Sequence, residues 1–122
     1  MNFKEKPVLL IYRMSKGLVN AFKEHDWTIV GSDYTVRKKY DNKIDFNKML
    51  EVIDLPVPPY MILPQEHIDY DKVVKSLGDR IVIQFPISFS GSGTFIIHSK
   101  EDFYIAMSSE RFNKQKNKNE LG

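Results

Sequence analysis

From Ser88 to Thr94 the chain runs Ser88-Phe89-Ser90-Gly91-Ser92-Gly93-Thr94, a cluster of small and hydroxyl-bearing residues. Glycine lets backbone N–H groups approach a ligand closely, and the hydroxyls add donors, so this composition suits the cradling of phosphate oxygens. No Lys-Ser or Lys-Thr follows the glycines, so this is not a Walker A motif. The loop precedes an expected strand instead of a helix, so it is not a dinucleotide fingerprint either. Taken alone, the segment reads more simply as the mobile turn of a hairpin. Other chemistry-bearing residues are sparser. His25, His67 and His98 lie far apart with no HxH or HExxH spacing, which argues against a metal site. Glu66-His67 falls in a loop with nothing to support a general-base role. Phe85, Phe89 and Phe95 could stack a base, but a hairpin core accounts for them more simply.

The elements that must position this loop can be read from pattern. Pro7 to Tyr12 reads as a buried strand, Ser15 caps a helix carrying Leu18, Ala21, Phe22 and His25 on one side, and Thr28-Ile29-Val30 is a second strand. That strand–helix–strand order generates a parallel pair. A polar stretch from Asp33 to Tyr40 follows. Asp41 or Asn42 opens a helix whose Phe46, Met49, Leu50 and Ile53 fall at helical spacing and form a buried face, and Leu55-Pro56-Val57-Pro58-Pro59 ends it. Tyr60 to Leu63 reads as a strand closed by Pro64. Asp69 caps a helix bearing Tyr70, Val73, Val74 and Leu77, and Gly78 stops it. Strands over Arg80–Phe85 and Thr94–His98 flank the glycine loop and pair as a hairpin. Ser99 with Asp102 opens a last helix with Phe103, Ala106 and Met107 inward, and from Arg111 the pattern stops.

The 122 residues are 42% hydrophobic, 28% charged and 12% aromatic, figures that suit one folded domain and exclude fibrous and large multidomain classes. There is no cysteine, hence no disulfide framework, Cys-based zinc site or thiol nucleophile. The longest apolar run, Val8 to Tyr12, is far short of a membrane span, and the start of the chain has no signal-peptide pattern, so a cytoplasmic, membrane-free protein is expected. The net charge of +2 is unevenly placed: Arg111, Lys114, Lys116 and Lys118 lie in a stretch with no acidic residue, and without them the remainder is slightly acidic. Nucleic-acid binding would rest on that tail alone and ranks last.

Three segments together carry a family resemblance. Lys38-Lys39-Tyr40-Asp41-Asn42-Lys43-Ile44-Asp45-Phe46 through Leu55-Pro56-Val57-Pro58-Pro59 resembles the opening of ATP-grasp proteins. Ile81-Val82-Ile83-Gln84-Phe85-Pro86, followed by Ser90-Gly91-Ser92-Gly93-Thr94-Phe95-Ile96-Ile97, resembles their strand–glycine loop–strand hairpin. Ser99-Lys100-Glu101-Asp102-Phe103 is similar to the helix start that follows it. Order and spacing agree over about residues 38 to 107. The resemblance implies an α/β (α+β) fold in which residues 1–37 end a preceding α/β unit. Residues 38–110 then form the first ATP-grasp subdomain with its antiparallel hairpin, and 111–122 a disordered basic tail.

ATP-grasp enzymes sandwich ATP between two α+β subdomains and typically activate a carboxylate as an acyl phosphate. By this resemblance Lys43 contacts nucleotide phosphates, as a point cation suits them. Gln84 stands where many members carry a second nucleotide lysine and brings no charge. Ser90, Gly91, Ser92, Gly93 and Thr94 form a lid over the β- and γ-phosphates. The family's magnesium carboxylates, catalytic arginine and adenine hinge lie downstream of this hairpin, where this sequence enters Lys114-Gln115-Lys116-Asn117-Lys118-Asn119. Two-metal phosphoryl chemistry needs those carboxylates. The expectation is therefore an ATP-binding half of a ligase, truncated or split, with no catalytic or metal-ligating residue of its own and with Mg²⁺ only if a partner half supplies the carboxylates. The alternative is a non-catalytic scaffold or binding module that keeps the half-fold and self-associates through the apolar surface a missing partner would cover.

Overall fold

Each helix of this chain begins where a short polar side chain can take up the backbone donors that the first turn leaves unpaired. The structure, a computed structural model, describes residues 4–120; Asn2-Phe3 of the N-terminal reading and the last two residues of the expected tail lie outside the described residues. Among the described residues the architecture is mixed α/β: six helices, a parallel two-strand sheet and an antiparallel hairpin. The chain divides into two compact units, residues 1–41 and 42–122, so the boundary expected at 37/38 falls inside a helix.

In the first unit β1 (Val8–Leu10) and β2 (Thr28–Val30) pair in parallel, Leu9 opposite Ile29, across α1 (Lys16–His25). The Ser15 Oγ accepts the Leu18 N–H at 3.2 Å, and Asp26 ends the helix with positive φ. Phe22 is buried, with the Trp27 ring 5.9 Å from its own. The polar stretch after β2 is helical: α2 (Tyr34–Tyr40) starts because the Asp33 carboxylate accepts the N–H groups of Thr35 and Val36 and the Thr35 hydroxyl, and it is braced by an Arg37–Asp41 ion pair.

The second unit opens with α3 (Lys43–Val52), and of the two expected caps it is Asn42 that serves, accepting the N–H of Ile44 at 2.9 Å. Its apolar face is not buried as expected: Met49 and Leu50 are half-covered, while Phe46 and Ile53 are 42% and 54% exposed. The helix is held by its N-terminus, where the Lys43 N–H donates to the Pro86 carbonyl at 2.9 Å. The strand expected at Tyr60–Leu63 does not form. Pro58, Pro59 and Pro64 remove donors on both sides of it, leaving four residues too few partners for a ladder.

Beyond the prolines, α4 (Tyr70–Leu77) is capped by Asp69 and stopped by Gly78 at φ +95°. Then β3 (Ile81–Gln84) and β4 (Thr94–Ile97) form the hairpin, with Ile81 opposite Ile97 and Gln84 opposite Thr94. α5 (Lys100–Ser108) follows, with the Ser99 Oγ accepting the Asp102 N–H and the Asp102 carboxylate accepting the His98 N–H. The core is Val73, Ile81, Phe85, Phe95, Ile97, Phe103, Ala106 and Phe112.

Phe112 belongs to the segment expected to be a disordered tail. Residues 110–120 instead form α6 (Glu110–Glu120). Ser109 makes the junction: its hydroxyl donates to the Ala106 carbonyl at 2.6 Å and accepts the Phe112 N–H at 3.1 Å. Phe112 is then buried against Phe85 and Phe95, ring centroids 5.0 and 5.5 Å away, and Gln115 is buried beside it on the same helix. No helix of the described residues is long and apolar enough to cross a membrane.

Candidate functional site

Alternation along β3 and β4 sorts their side chains into two sets. Ile81, Phe95 and Ile97 are buried in the core, whereas Val82 and Ile96, directly opposite one another, are 57% and 65% exposed. Gln84 lies on that outer face with its Nε2 3.4 Å from the Thr94 Oγ1, so these two site residues are brought together. Beyond them the strands close with Phe85 N–H donating to Gly93 O at 3.0 Å.

The loop itself is a tight turn. Ser92 N–H donates to Phe89 O at 3.0 Å across Ser90 at φ +51° and Gly91 at φ +72°. Positive φ at both central residues is the type I′ pattern, to which glycine at the second of them is well suited. Thr94 N–H then donates to Gly91 O at 3.0 Å. No heavy atom lies within 4 Å of where a Gly91 Cβ would stand, so the backbone at the tip is open to approach. Gly93 is the opposite case: a Cβ there would lie 2.4 Å from Ser88 Cβ and 2.6 Å from its Oγ. The glycine is what lets Ser88 pack across the base of the loop.

Lys43 reaches this base from the first residue of α3. Its Nζ donates to Ser88 Oγ at 3.0 Å and to Ser88 O at 3.2 Å, in a half-buried setting. The residues expected to meet phosphate therefore share one neighbourhood: Lys43 at Ser88, the turn Ser90 to Gly93 above it, and Thr94 with Gln84 at the foot of the strands.

Residues that the sequence did not single out complete the surroundings. The Asn119 amide meets the backbone N–H and C=O of Ile87 on the loop's incoming side, and Arg111 donates to the Thr94 carbonyl on its outgoing side. Only the Ser109 cap followed by Phe112 and Gln115 at helical spacing hints at the helix that carries them. Along β3 runs a cavity of about 890 Å³, whose walls include Tyr60, Leu63, Gln65, Arg80 and Gln84. Partial burial, then a hydrogen bond with Glu51, hold the Tyr60 phenol above its ordinary value. Among the described residues no group of three or more His, Asp or Glu side chains gathers to hold a metal.

Comparison with protein-family models, with curated proteins and with solved structures returns no match for this chain.

Proposed function

We propose that the second unit is the phosphate-binding jaw of a nucleotide clamp of the ATP-grasp kind, with ATP as its ligand. The observation that carries this reading is the tether of Lys43 to Ser88, which sets an ammonium group at the base of a small-residue turn with an open tip. A lysine supplies charge to a phosphate, and oriented backbone N–H groups of a turn supply directional donors. Gln84 and Thr94 lend neutral hydrogen-bonding groups on the exposed face of the hairpin, where a ligand's remaining polar atoms could be met. Activation of a carboxylate, and the Mg²⁺ that goes with it, belong in this reading to a second half with its own carboxylates, and no metal-dependent step is drawn from this chain.

Calorimetric titration of the full chain with ATP tests the reading. Binding that is lost or weakened at least tenfold in Lys43→Ala supports it, since a hydrogen bond to a charged group contributes about 1.5–3 kcal/mol. Heat changes that are absent, or identical for the wild type and Lys43→Ala, defeat it.

A second reading is favoured by one observation of its own. Val82 and Ile96 form an exposed apolar cross-strand pair, a surface suited to a second copy of the chain. Light scattering across a concentration series separates the two: association abolished by Ile96→Lys supports the scaffold, and a monomer throughout removes it.

A further inference from the structure

We infer that α6 is a positioning element for the glycine loop, holding both of its ends from a single helix. The inference rests on the phosphate-binding reading above and adds to it the part of the chain that keeps the loop ready for its ligand. Asn119, in the last turn of α6, pairs with both backbone polar groups of Ile87, on the loop's incoming side. Its Oδ1 accepts the Ile87 N–H at 3.1 Å, and its Nδ2 donates to the Ile87 carbonyl at 3.2 Å and to the Gln115 carbonyl at 2.9 Å. In the first turn, Arg111 Nη2 donates to the Thr94 carbonyl at 2.9 Å, and its guanidinium lies 4.2 Å from the centre of the Phe95 ring. Between these contacts Phe112 is 3% exposed and packs on Phe85 and Phe95, which flank the same loop.

Besides an ion pair of Lys116 with Glu66 at 3.9 Å, the polar side-chain contacts that α6 makes with the hairpin thus fall on Ile87 and Thr94, the two ends of the loop. A helix kept only to fill the core has no need of them: Phe112 and Gln115 are its buried residues. A small-residue loop loses much conformational freedom when a ligand orders it. Fixing its ends beforehand removes part of that cost from the binding step, which is how preorganisation raises affinity. Asn119 does this with particular economy, because one amide supplies both the acceptor and the donor that the Ile87 N–H and C=O would otherwise seek from a neighbouring strand.

The test uses the full ¹⁵N-labelled chain without nucleotide and reads backbone order at Ser90–Gly93. In Asn119→Ala and Arg111→Ala the order parameters there fall from the rigid range, about 0.85, to below about 0.6, while Ile83 and Ile97 stay rigid and so report an intact core. Asn119→Asp keeps the shape and the acceptor but loses the donor; its loop is loosened at neutral pH and regains order toward pH ~4, where the carboxyl gains a proton and can donate to the Ile87 carbonyl. A helix that acted merely as core filler would give no such pH profile. Affinity for ATP and for inorganic tripolyphosphate falls roughly 3- to 10-fold in Asn119→Ala, the loss of about one hydrogen bond's worth of ordering. Unchanged loop order in all three variants overturns the inference, and so does a loosened loop whose ligand affinity equals the wild type's. A wild-type chain that binds neither ATP nor tripolyphosphate defeats the phosphate reading instead, while the ligand-free order parameters still decide the role of α6.

Discussion

Substituting Gly93 by alanine tests the geometry at the base of the loop. The added Cβ would lie 2.4 Å from Ser88 Cβ, 2.6 Å from Ser88 Oγ and 3.3 Å from Phe85 Cβ. Comfortable separation between carbons is about 3.5–4.0 Å, so the two sides of the loop must part by roughly 1 Å or more. Phe85 sits in the core, so only the Ser88 side can give way. Overpacking of this kind costs about 1–3 kcal/mol. For a unit of this size that is a fall in melting temperature of roughly 4–8 °C per kcal/mol, read by circular dichroism. A second substitution isolates the cause. Ser88→Gly removes both clashing atoms; alone it costs about 1 kcal/mol, because Lys43 loses its hydroxyl acceptor. Combined with Gly93→Ala it should be less damaging than the sum of the two by about 1 kcal/mol or more, a coupling that contacting residues show and distant ones do not. Gly91→Ala, strained by its φ of +72° but facing open space, gains nothing from Ser88→Gly. The reasoning is refuted if Gly93→Ala melts within about 0.5 kcal/mol of wild type, or if its effect simply adds to that of Ser88→Gly.

Phe112→Ala should destabilise the second unit by about 3–5 kcal/mol in urea unfolding, since the ring is buried among Phe85 and Phe95; a cost under 1 kcal/mol would return this segment to the status of a tail. The Asp33 carboxyl is held below its ordinary value of 3.8, first by the Thr35 hydroxyl and then by the N–H groups of Val36 and Thr35. A lowered folded-state pKa means that its capping is fully present above about pH 4 and is lost as pH falls through the lower folded value. The amide shifts of Thr35 and Val36 should therefore change only in that acid window, and Asp33→Asn, which keeps a carbonyl acceptor, should flatten the change; a transition near neutral pH would contradict the assignment. The Lys100 ammonium is held above its ordinary value, first by its hydrogen bond to Asp71, so that contact persists to pH above about 10.5 and is lost as pH rises through the folded value. Asp71→Asn should shift the Lys100 Nζ titration downward in NMR, and no shift would show that the pair does not form in solution.

Local rules made most of the framework legible. Ser15, Asp69 and Ser99 each announce a helix by chemistry that their neighbours complete, and all three caps form. The hairpin was equally readable, because β-branched runs on both sides of a Ser-Gly loop have few other ways to pair. What escaped depends on contacts between distant residues. α6 carries a single large apolar side chain in a run of lysines and asparagines, so periodicity had almost nothing to register. Its stability comes from where Phe112 lands, and no local pattern says that. Asn119 shows the limit most sharply: it reads as solvated tail, yet its amide pairs with the backbone of a residue 32 positions earlier in the chain. Tyr60–Leu63 fails in the other direction, since its composition favours a strand and its flanking prolines leave it without a ladder. At the site, Lys43 and the glycine loop were named from sequence, but their junction at Ser88, and the reason Gly93 has to be glycine, appear only in three dimensions.

The most direct test of the central claim is a crystal structure of the full chain with a non-hydrolysable ATP analogue. The account predicts triphosphate oxygens within about 3 Å of Lys43 Nζ and of backbone N–H groups between Ser90 and Thr94, with the loop still bonded to Asn119 and Arg111. An analogue bound away from this loop, or a loop and Lys43 unchanged at saturating analogue, would contradict it.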